Sequence, residues 1–471
     1  MAQAPNRIAV CGAGAMGSGI AEIAAQRGAA VKVFDVNAEA LAGSEKRIGQ
    51  SIDKLVAKGK LSADDAGDIR GRMQWVSSLD DLAGCELVIE AIIEDAAIKG
   101  RLFDGLEAVL SDQAVIATNT SSLPIGRLAR TLGRPERFVG MHFFNPATLM
   151  KLVEVISGPA TAPETAELVT AAAKAWGKVA VPVTDVPGFI VNRVARPYYG
   201  EAFTALGEKV AAAHEIDALF RAVGFRMGPL ELTDLIGQDV NFSVARSVYD
   251  SYFGQTRFVP QLLQSALVDA GWLGRKSGRG IYDHSEGAAP LPPIVADEVE
   301  VSDVQRAVAD KLGDLAPGEL LACGDVLIGI TAGETARSAA RQAGKAVALL
   351  DWLVSDSDGP IGHASSSPEA AAAAAGVIAA LGRPAIALSD RPGLIVCRTL
   401  AQIANAAADA VFEHVSDEAG IDAALRFGAN YPFGPFAWLD RVGRASVVCT
   451  LGAIAEATGQ AMYRPSQYLK D

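Results

Sequence analysis

His142 and Glu154 bracket a segment that reads as strand, turn and strand. The apolar run from Phe138 closes at Phe144, Asn145-Pro146 breaks it, and Leu149 to Ile156 returns. A hairpin of that size folds Glu154 back beside His142. A carboxylate buried against an imidazole fixes its tautomer and favours its uptake of a proton, as a general base requires. Phe143 and Phe144 are expected to keep water from the ring. A lone histidine in a strand is more often a satisfied core residue, so the weight of this pair depends on the rest of the chain.

A second chemical signature opens the sequence. Gly12, Gly14 and Gly17 form G-x-G-x-x-G between the apolar strand 7–11 and a helical run from Ser18 to Arg27. Gly12 allows the tight turn, Gly14 lets a pyrophosphate approach the backbone, and Gly17 lets helix and strand pack closely. The helix N-terminus then faces the phosphates. A second strand, Ala30 to Phe34, closes on Asp35, placed to accept both ribose hydroxyls and repel a 2′-phosphate. Val36-Asn37 follow it rather than an arginine, which favours NAD over NADP.

These residues need a scaffold, and the rest of the chain describes one. Residues 38–72 form a helical excursion, Glu39 to Val56 and then Ser62 to Arg72. Ser51, Lys54 and Lys58 share one helical face there, either an anion patch or a solvated surface. Leu87 to Ile93, ending near Glu94, and Ala114 to Ala117 read as buried parallel strands. The latter runs into Thr118-Asn-Thr-Ser-Ser122, at a strand C-terminus where open α/β sheets bind ligands. After Val179 to Val183 the pattern turns helical, through Asp185 to Arg193 and on to Gly274 to Tyr282.

The chain then repeats itself. Arg-Pro392-Gly-Leu-Ile-Val-Cys397-Arg398 answers Val-Pro187-Gly-Phe-Ile-Val-Asn192-Arg193, and Gly434-Pro435 to Asp440 answers Gly228-Pro229 to Asp234. Nearly all such pairs lie 205 or 206 residues apart, so the helical domain is duplicated. The expected division is a Rossmann-type α/β domain over 1–184 and a helical domain over 185–285. A linker and truncated α/β remnant follow over 286–389, with strands such as Gly344 to Leu349, then a second helical repeat over 390–471. The remnant lacks G-x-G-x-x-G, so no second cofactor is expected.

Composition narrows the partners. A net charge of −13 over 471 residues makes nucleic acid unsuitable. No run of about 18 or more uncharged apolar residues suggests a membrane span. Cys11, Cys85, Cys323, Cys397 and Cys449 are scattered, without metal spacing, as suits a reducing cytoplasm and no zinc site.

In order, GAGAMG, NTSSLPI, HFFNPATLMKLVEV, PGFIVNRV and GPLELTDLIG resemble the L-3-hydroxyacyl-CoA dehydrogenase family over nearly the whole chain. The doubled C-terminal half is similar to the longer bacterial members, including those acting on 3-hydroxyadipyl-CoA in phenylacetate breakdown, and to 3-hydroxybutyryl-CoA dehydrogenases. The resemblance implies a Rossmann-type domain followed by two all-α domains like the C-terminal domain of 6-phosphogluconate dehydrogenase. It implies His142 as catalytic base with Glu154, Ser121 holding substrate oxygens and Asn192 completing the site. Cofactor contacts are implied at Asp35, Glu94, Lys99, Ser121, Asn145 and Lys276, and coenzyme A contacts at Ser51 and Lys58. Cys397 stands where the first copy has Asn192, and a thiol is a poor substitute for an amide, so the second copy is expected to be silent. The implied partner is an acyl-CoA, and the implied state a monomer with an internal pseudo-dimer or a homo-oligomer. A dehydrogenase of a free 3-hydroxy acid and a non-enzymatic relative are the rival readings.

Overall fold

The structure, a computed structural model, describes residues 4–296, 299–354 and 356–470. It divides into two compact units, one of residues 1–191 with 414–429, the other of residues 192–413 with 430–471.

The first unit is built on eight strands: β1 (Arg7–Cys11), β2 (Ala30–Phe34), β3 (Met73–Val76), β4 (Leu87–Glu90), β5 (Val115–Thr118), β6 (Phe138–Phe143), β7 (Leu152–Ser157) and β8 (Val179–Thr184). Their order in the sheet is β3-β2-β1-β4-β5-β6-β7-β8. All neighbours are parallel except β6 and β7. Strands such as β4 and β5 are buried at every position, as parallel strands covered on both faces must be. The order reverses between β1 and β4, which opens a crevice at the carboxyl ends of the strands.

The expected strand Leu87 to Ile93 stops at Glu90. There the Glu90 carboxylate accepts the Ile92 N–H at 2.7 Å and turns the chain off the sheet. Likewise β7 begins at Leu152, because Pro146 accepts the N–H groups of Leu149 and Met150 in a turn. Residues 414–429, expected within the second helical repeat, belong to the first unit. Their helix Glu418–Gly428 packs on β7 and β8, and Ser416 donates its hydroxyl to the Pro182 carbonyl at 2.8 Å.

In the second unit the helices Arg196–Gly207, Pro229–Ile236 and Gln238–Ser251 have counterparts in Val396–Phe412, Pro435–Val442 and Arg444–Thr458, while Ala213–Ala222 answers Glu418–Gly428 of the first unit. Backbone geometry repeats with the sequence. Phe189 has φ +49° and Leu394 +51°, and Lys209 and His414 both have +56°. Such values are uncommon outside glycine, so their recurrence at the same spacing reflects one repeated framework. The helices Arg196–Gly207 and Val396–Phe412 pack on one another. The second is buried almost throughout. Ion pairs join the copies: Glu201 with Arg398, both buried, at 2.9 Å, Arg193 with the exposed Glu413 at 2.8 Å, and the half-buried Arg257 with Asp409.

Between the copies lies a five-stranded sheet, β9 (Leu320–Cys323), β10 (Val326–Ile330), β11 (Val347–Leu350), β12 (Ile361–Ser365) and β13 (Ala385–Ala387), in the order β13-β12-β11-β10-β9. The expected strand Gly344 to Leu349 begins at Val347, since Gly344, at φ +67°, ends the preceding helix in the left-handed conformation. The pairing β10-β11-β12-β13 is parallel, antiparallel, parallel. That is the pattern of β5-β6-β7-β8. The remnant is therefore the second half of the first sheet, without the strands of the glycine loop.

His363 on β12 is buried, and burial pushes its pKa down to about 4. An imidazole held below its ordinary value contributes stability above pH about 6.5, lost as pH falls toward about 4 because only the unfolded chain takes up the proton. At pH 4.5 the loss should be on the order of 2–3 kcal/mol. Urea unfolding followed at pH 7 and 4.5 should show a smaller acid shift for His363→Gln than for the unmodified chain; equal shifts would refute the assignment.

Candidate active site

His142 on β6 and Glu154 on β7 are direct partners in the antiparallel register. Side chains of opposed strand residues lie on the same face, so the hairpin itself brings them together. His142 Nδ1 lies 2.7 Å from Glu154 Oε2, and both residues are buried. Glu154 Oε1 accepts the N–H groups of Ile190 and Val191 at 3.0 and 3.1 Å. With a carboxylate as its neighbour Nδ1 carries the proton, and Nε2 is left as the acceptor. The Phe144 ring lies 4.6 Å from the imidazole and that of Phe189 5.7 Å. Phe143 was expected beside the imidazole, but strand alternation sends it to the other face, where it stacks on Trp176 at 6.5 Å. Phe189 takes its place, a contact no spacing in the sequence announces.

The polar loop after β5 is held by one carboxylate. Glu94 Oε1 accepts the Thr120 hydroxyl at 2.6 Å and the N–H groups of Ser121 and Ser122 at 2.9 and 3.1 Å. Burial alone would raise the Glu94 carboxyl, but the Thr120 hydroxyl, the Lys99 charge and the serine donors together hold it below its ordinary value. Ser121 is exposed, and its hydroxyl has no protein partner among the described residues. Asn119 Oδ1 accepts the Phe143 N–H at 2.8 Å, so the loop is tied to the strand that carries His142. Lys99 is buried, 2.6 Å from Glu90 and 3.2 Å from Glu94. It therefore presents no exposed donor and acts by holding Glu94. Asn145 is exposed in the turn after β6. Glu90 was absent from the sequence expectations, and Thr118 and Thr120 entered them only as part of the polar stretch after β5, without a role of their own. Their signal was position, at the carboxyl ends of β4 and β5.

The glycine loop lies at the strand-order reversal. A Cβ on Gly12, at φ +112°, would come within 2.5 Å of the Ala91 carbonyl oxygen, and one on Gly17 within 1.9 Å of the Gly12 carbonyl oxygen. A Cβ on Gly14 would meet nothing within 4 Å, so its backbone faces open space. That space is a cleft of about 820 Å³ lined by Gly12, Gly14, Asp35, Ile92 and Leu102 among others. Asp35 Oδ2 accepts the Ala13 N–H at 2.8 Å and Oδ1 the Asn37 N–H at 2.9 Å. A carboxylate has roughly four acceptor sites, so two remain for a ribose. Bare glycine amides, a helix N-terminus and a half-free aspartate suit a dinucleotide.

The other expected contacts are distributed. Ser51 donates to the buried Glu22 at 2.7 Å, so while that bond stands it offers an anion no proton; Lys58 and Lys54 are exposed. Asn192 begins the second unit on the short helix Val191–Val194 and directly follows an amide that Glu154 binds. Lys276, also in the second unit, pairs with Asp239 at 2.5 Å. Among the described residues no cluster of His, Cys, Asp and Glu could hold a metal ion, and no helix is long and apolar enough to cross a membrane.

Residues 7–186 match the 3-hydroxyacyl-CoA dehydrogenase NAD-binding domain, and residues 188–284 and 393–471 each match the C-terminal domain of the same family. The chain belongs to the 3-hydroxyacyl-CoA dehydrogenase family. It is 41% identical over 98% of its length, and 96% of the relative's, to the 3-hydroxyadipyl-CoA dehydrogenase of Escherichia coli K12. A crystal structure titled 3-hydroxybutyryl-CoA dehydrogenase from Escherichia coli K12 superposes with a TM-score of 0.92 at 40% identity, covering 99% of this chain and 98% of that one. The probable 3-hydroxybutyryl-CoA dehydrogenase of Bacillus subtilis is 43% identical over 60% of this chain and 98% of its own length. NAD is thus the cofactor, and the chemistry is oxidation of a 3-hydroxyacyl-CoA.

Within this family member the two copies differ at the dyad. Asp351, one residue past β11, accepts the N–H groups of Ile395, Val396 and Cys397 at 3.0, 2.7 and 2.8 Å. Ile395 and Val396 are the repeats of Ile190 and Val191. Asp351 also donates its N–H to Gly362, so it pairs across the hairpin as His142 pairs with Glu154. In the second copy, then, an aspartate stands at the histidine position and a glycine at the glutamate position.

Asp35→Ala should weaken NAD binding by about tenfold or more while changing NADP binding less, since two buried-edge hydrogen bonds to the ribose are lost and a repelling charge is removed. Titration of NADH and NADPH fluorescence would measure both. Equal affinity for the two cofactors in the unmodified chain would remove Asp35 from their discrimination.

Proposed function

We propose that the chain oxidises (S)-3-hydroxyacyl-CoA to 3-oxoacyl-CoA with His142 as general base, its substrate 3-hydroxyadipyl-CoA or 3-hydroxybutyryl-CoA. The observation that carries the assignment is the buried His142–Glu154 pair with Nε2 left as acceptor. Nε2 takes the proton of the 3-hydroxyl, and Glu154 offsets the imidazolium charge without moving, because its other oxygen is pinned by two amides. NAD held by Asp35 and the glycine loop would supply the acceptor for the hydride of C3. Ser121 and Asn192 hold the hydroxyl and thioester oxygens, and positioning of this kind contributes several kcal/mol, roughly, to lowering the barrier. Phe144 and Phe189 shield the base from water.

Asp35 and the three glycines hold the dinucleotide, with Glu94, Asn145 and Lys276 as further contacts and Lys99 acting through Glu94. Lys58 neutralises coenzyme A phosphates, and Ser51 offers an acceptor beside it. The E. coli relative with full-length coverage supports the dicarboxylic substrate and a place in phenylacetate breakdown. Five unpaired cysteines support a cytoplasmic setting. The second copy performs no chemistry, and its helices replace a partner subunit by packing on the first copy.

NADH formation from 3-hydroxybutyryl-CoA but not from free 3-hydroxybutyrate should establish the substrate class; the reverse would favour a free-acid dehydrogenase. His142→Gln should lower kcat by about 100-fold or more with NADH binding retained. Glu154→Gln should lower it by about tenfold or more, since its amide can still accept the two N–H groups but carries no charge. Turnover near that of the unmodified enzyme in either folded variant would sink the dyad.

A chain cut near Gly287 should dimerise or aggregate, because the face that Val396–Phe412 covers is laid open. Sedimentation of fragment 1–287 as a fully active monomer would overturn the internal pseudo-dimer.

A further inference from the structure

Arg196 opens the helix Arg196–Gly207, four residues after Asn192. Its guanidinium lies over the Tyr199 ring at 5.1 Å. The Arg196 Nε and the Tyr431 hydroxyl are both buried without a hydrogen-bond partner among the described residues. The groups that act on its charge are Tyr199 and Tyr431, and no carboxylate is among them. Unmatched buried donors of this kind are rare, and a buried cation without a counterion is costly. In a chain of net charge −13, a shortage of carboxylates does not account for it.

Arg196 also lines a small, partly open cavity of about 40 Å³ with Tyr199, Phe203, Asn241, Phe258 and Gln264. The other charged side chains on its wall are matched, Glu201 by Arg398 and Arg257 by Asp409. About 10–15 Å³ suffices for one water, so the cavity takes a few non-hydrogen atoms, the size of a carboxylate end and too small for a long alkyl tail.

We propose that Arg196 receives the far carboxylate of a short dicarboxylic acyl chain and so selects 3-hydroxyacyl-CoA substrates that carry a second acid group. This rests on the proposed role of Asn192 in holding the substrate oxygens. Ala195, which joins the two helices, keeps a right-handed helical backbone, so the four residues from Asn192 to Arg196 rise ~6 Å. The three bonds from C3 to C6 of a hydroxyadipyl chain span roughly 4 Å, and a hydrogen bond adds about 3 Å. An acid at C6 thus reaches the guanidinium, whereas the methyl end of a neutral chain leaves it buried and unpaired.

The test compares kcat/KM of the full-length enzyme for 3-hydroxyadipyl-CoA and 3-hydroxyhexanoyl-CoA, which have the same chain length and differ in the terminal group. The acid should be preferred by about 100-fold, as expected where a site built for a polar group rejects the analogue lacking it. Arg196→Met should reduce that ratio by about the same factor, and Arg196→Lys should restore part of it. An unmodified enzyme with a ratio of one or less, or an Arg196→Met enzyme with an unaltered ratio, would overturn the proposal. If Arg196→Met does not fold, the ratio of the unmodified enzyme decides. Equal loss on both substrates in Arg196→Met would place the residue on the shared coenzyme A portion and also overturn it. Absence of NADH from these and from 3-hydroxybutyryl-CoA would instead overturn the dehydrogenase reading, and this one with it.

Discussion

The buried carboxylate of Glu154 is the interaction on which the active hairpin depends. An ionised carboxylate removed from water costs several kcal/mol, roughly, unless its lone pairs are satisfied. Here both oxygens are, one by an imidazole and the other by two backbone amides. Those amides follow Gly188 and Phe189, both with positive φ, so the carboxylate also holds a turn that the chain would not adopt freely. A single side chain therefore sets the orientation of the His142 ring and fixes the start of the segment bearing Asn192.

The second copy separates these roles. Asp351 binds three amides of the repeated turn, including those of Ile395 and Val396, yet no imidazole stands beside it in that register. Leu394 keeps its positive φ. Anchoring of the turn is thus a structural requirement that persists where catalysis has no base. Glu154 adds one methylene and comes from the opposite strand, which leaves the facing position for a histidine. The His142–Glu154 pair can be understood as the structural anchor moved across the hairpin.

Much of this was legible in advance. The glycine loop, Asp35 and the His142–Glu154 hairpin follow from local rules: a turn that tolerates no Cβ, a strand end facing a crevice, and an antiparallel register. What escaped was set by contacts distant in sequence. Phe189 reaches His142 across the fold, and Ser51 is held by Glu22 on a separate helix. Lys99, implied as a cofactor contact by the resemblance, is buried between Glu90 and Glu94. Strand ends slipped for a similar reason, since the Glu90 side chain ends β4 by accepting its own chain two residues on. Asp351 was missed because the hairpin of the remnant is too degenerate to align by residue type.

Duplication places an unusual demand on the helical core. Where two copies meet, Glu201 accepts from Tyr463 at 2.5 Å and pairs with Arg398, and all three are buried. Pairs of this kind add little stability over an apolar contact of the same shape, yet losing one partner costs about 3–5 kcal/mol. They therefore act less as glue than as a register, tolerating one mode of apposition and penalising others. The pairs are not symmetric: Glu201 has Ala406 as its repeat, and Arg257 has Met462. A homodimer of identical subunits cannot hold such differences, because every substitution appears twice. Joining the copies in one chain removes that constraint. The first copy can then keep the His142–Glu154 pair and Arg196 while the second carries Asp351 and, at the repeat of Arg196, Ala401.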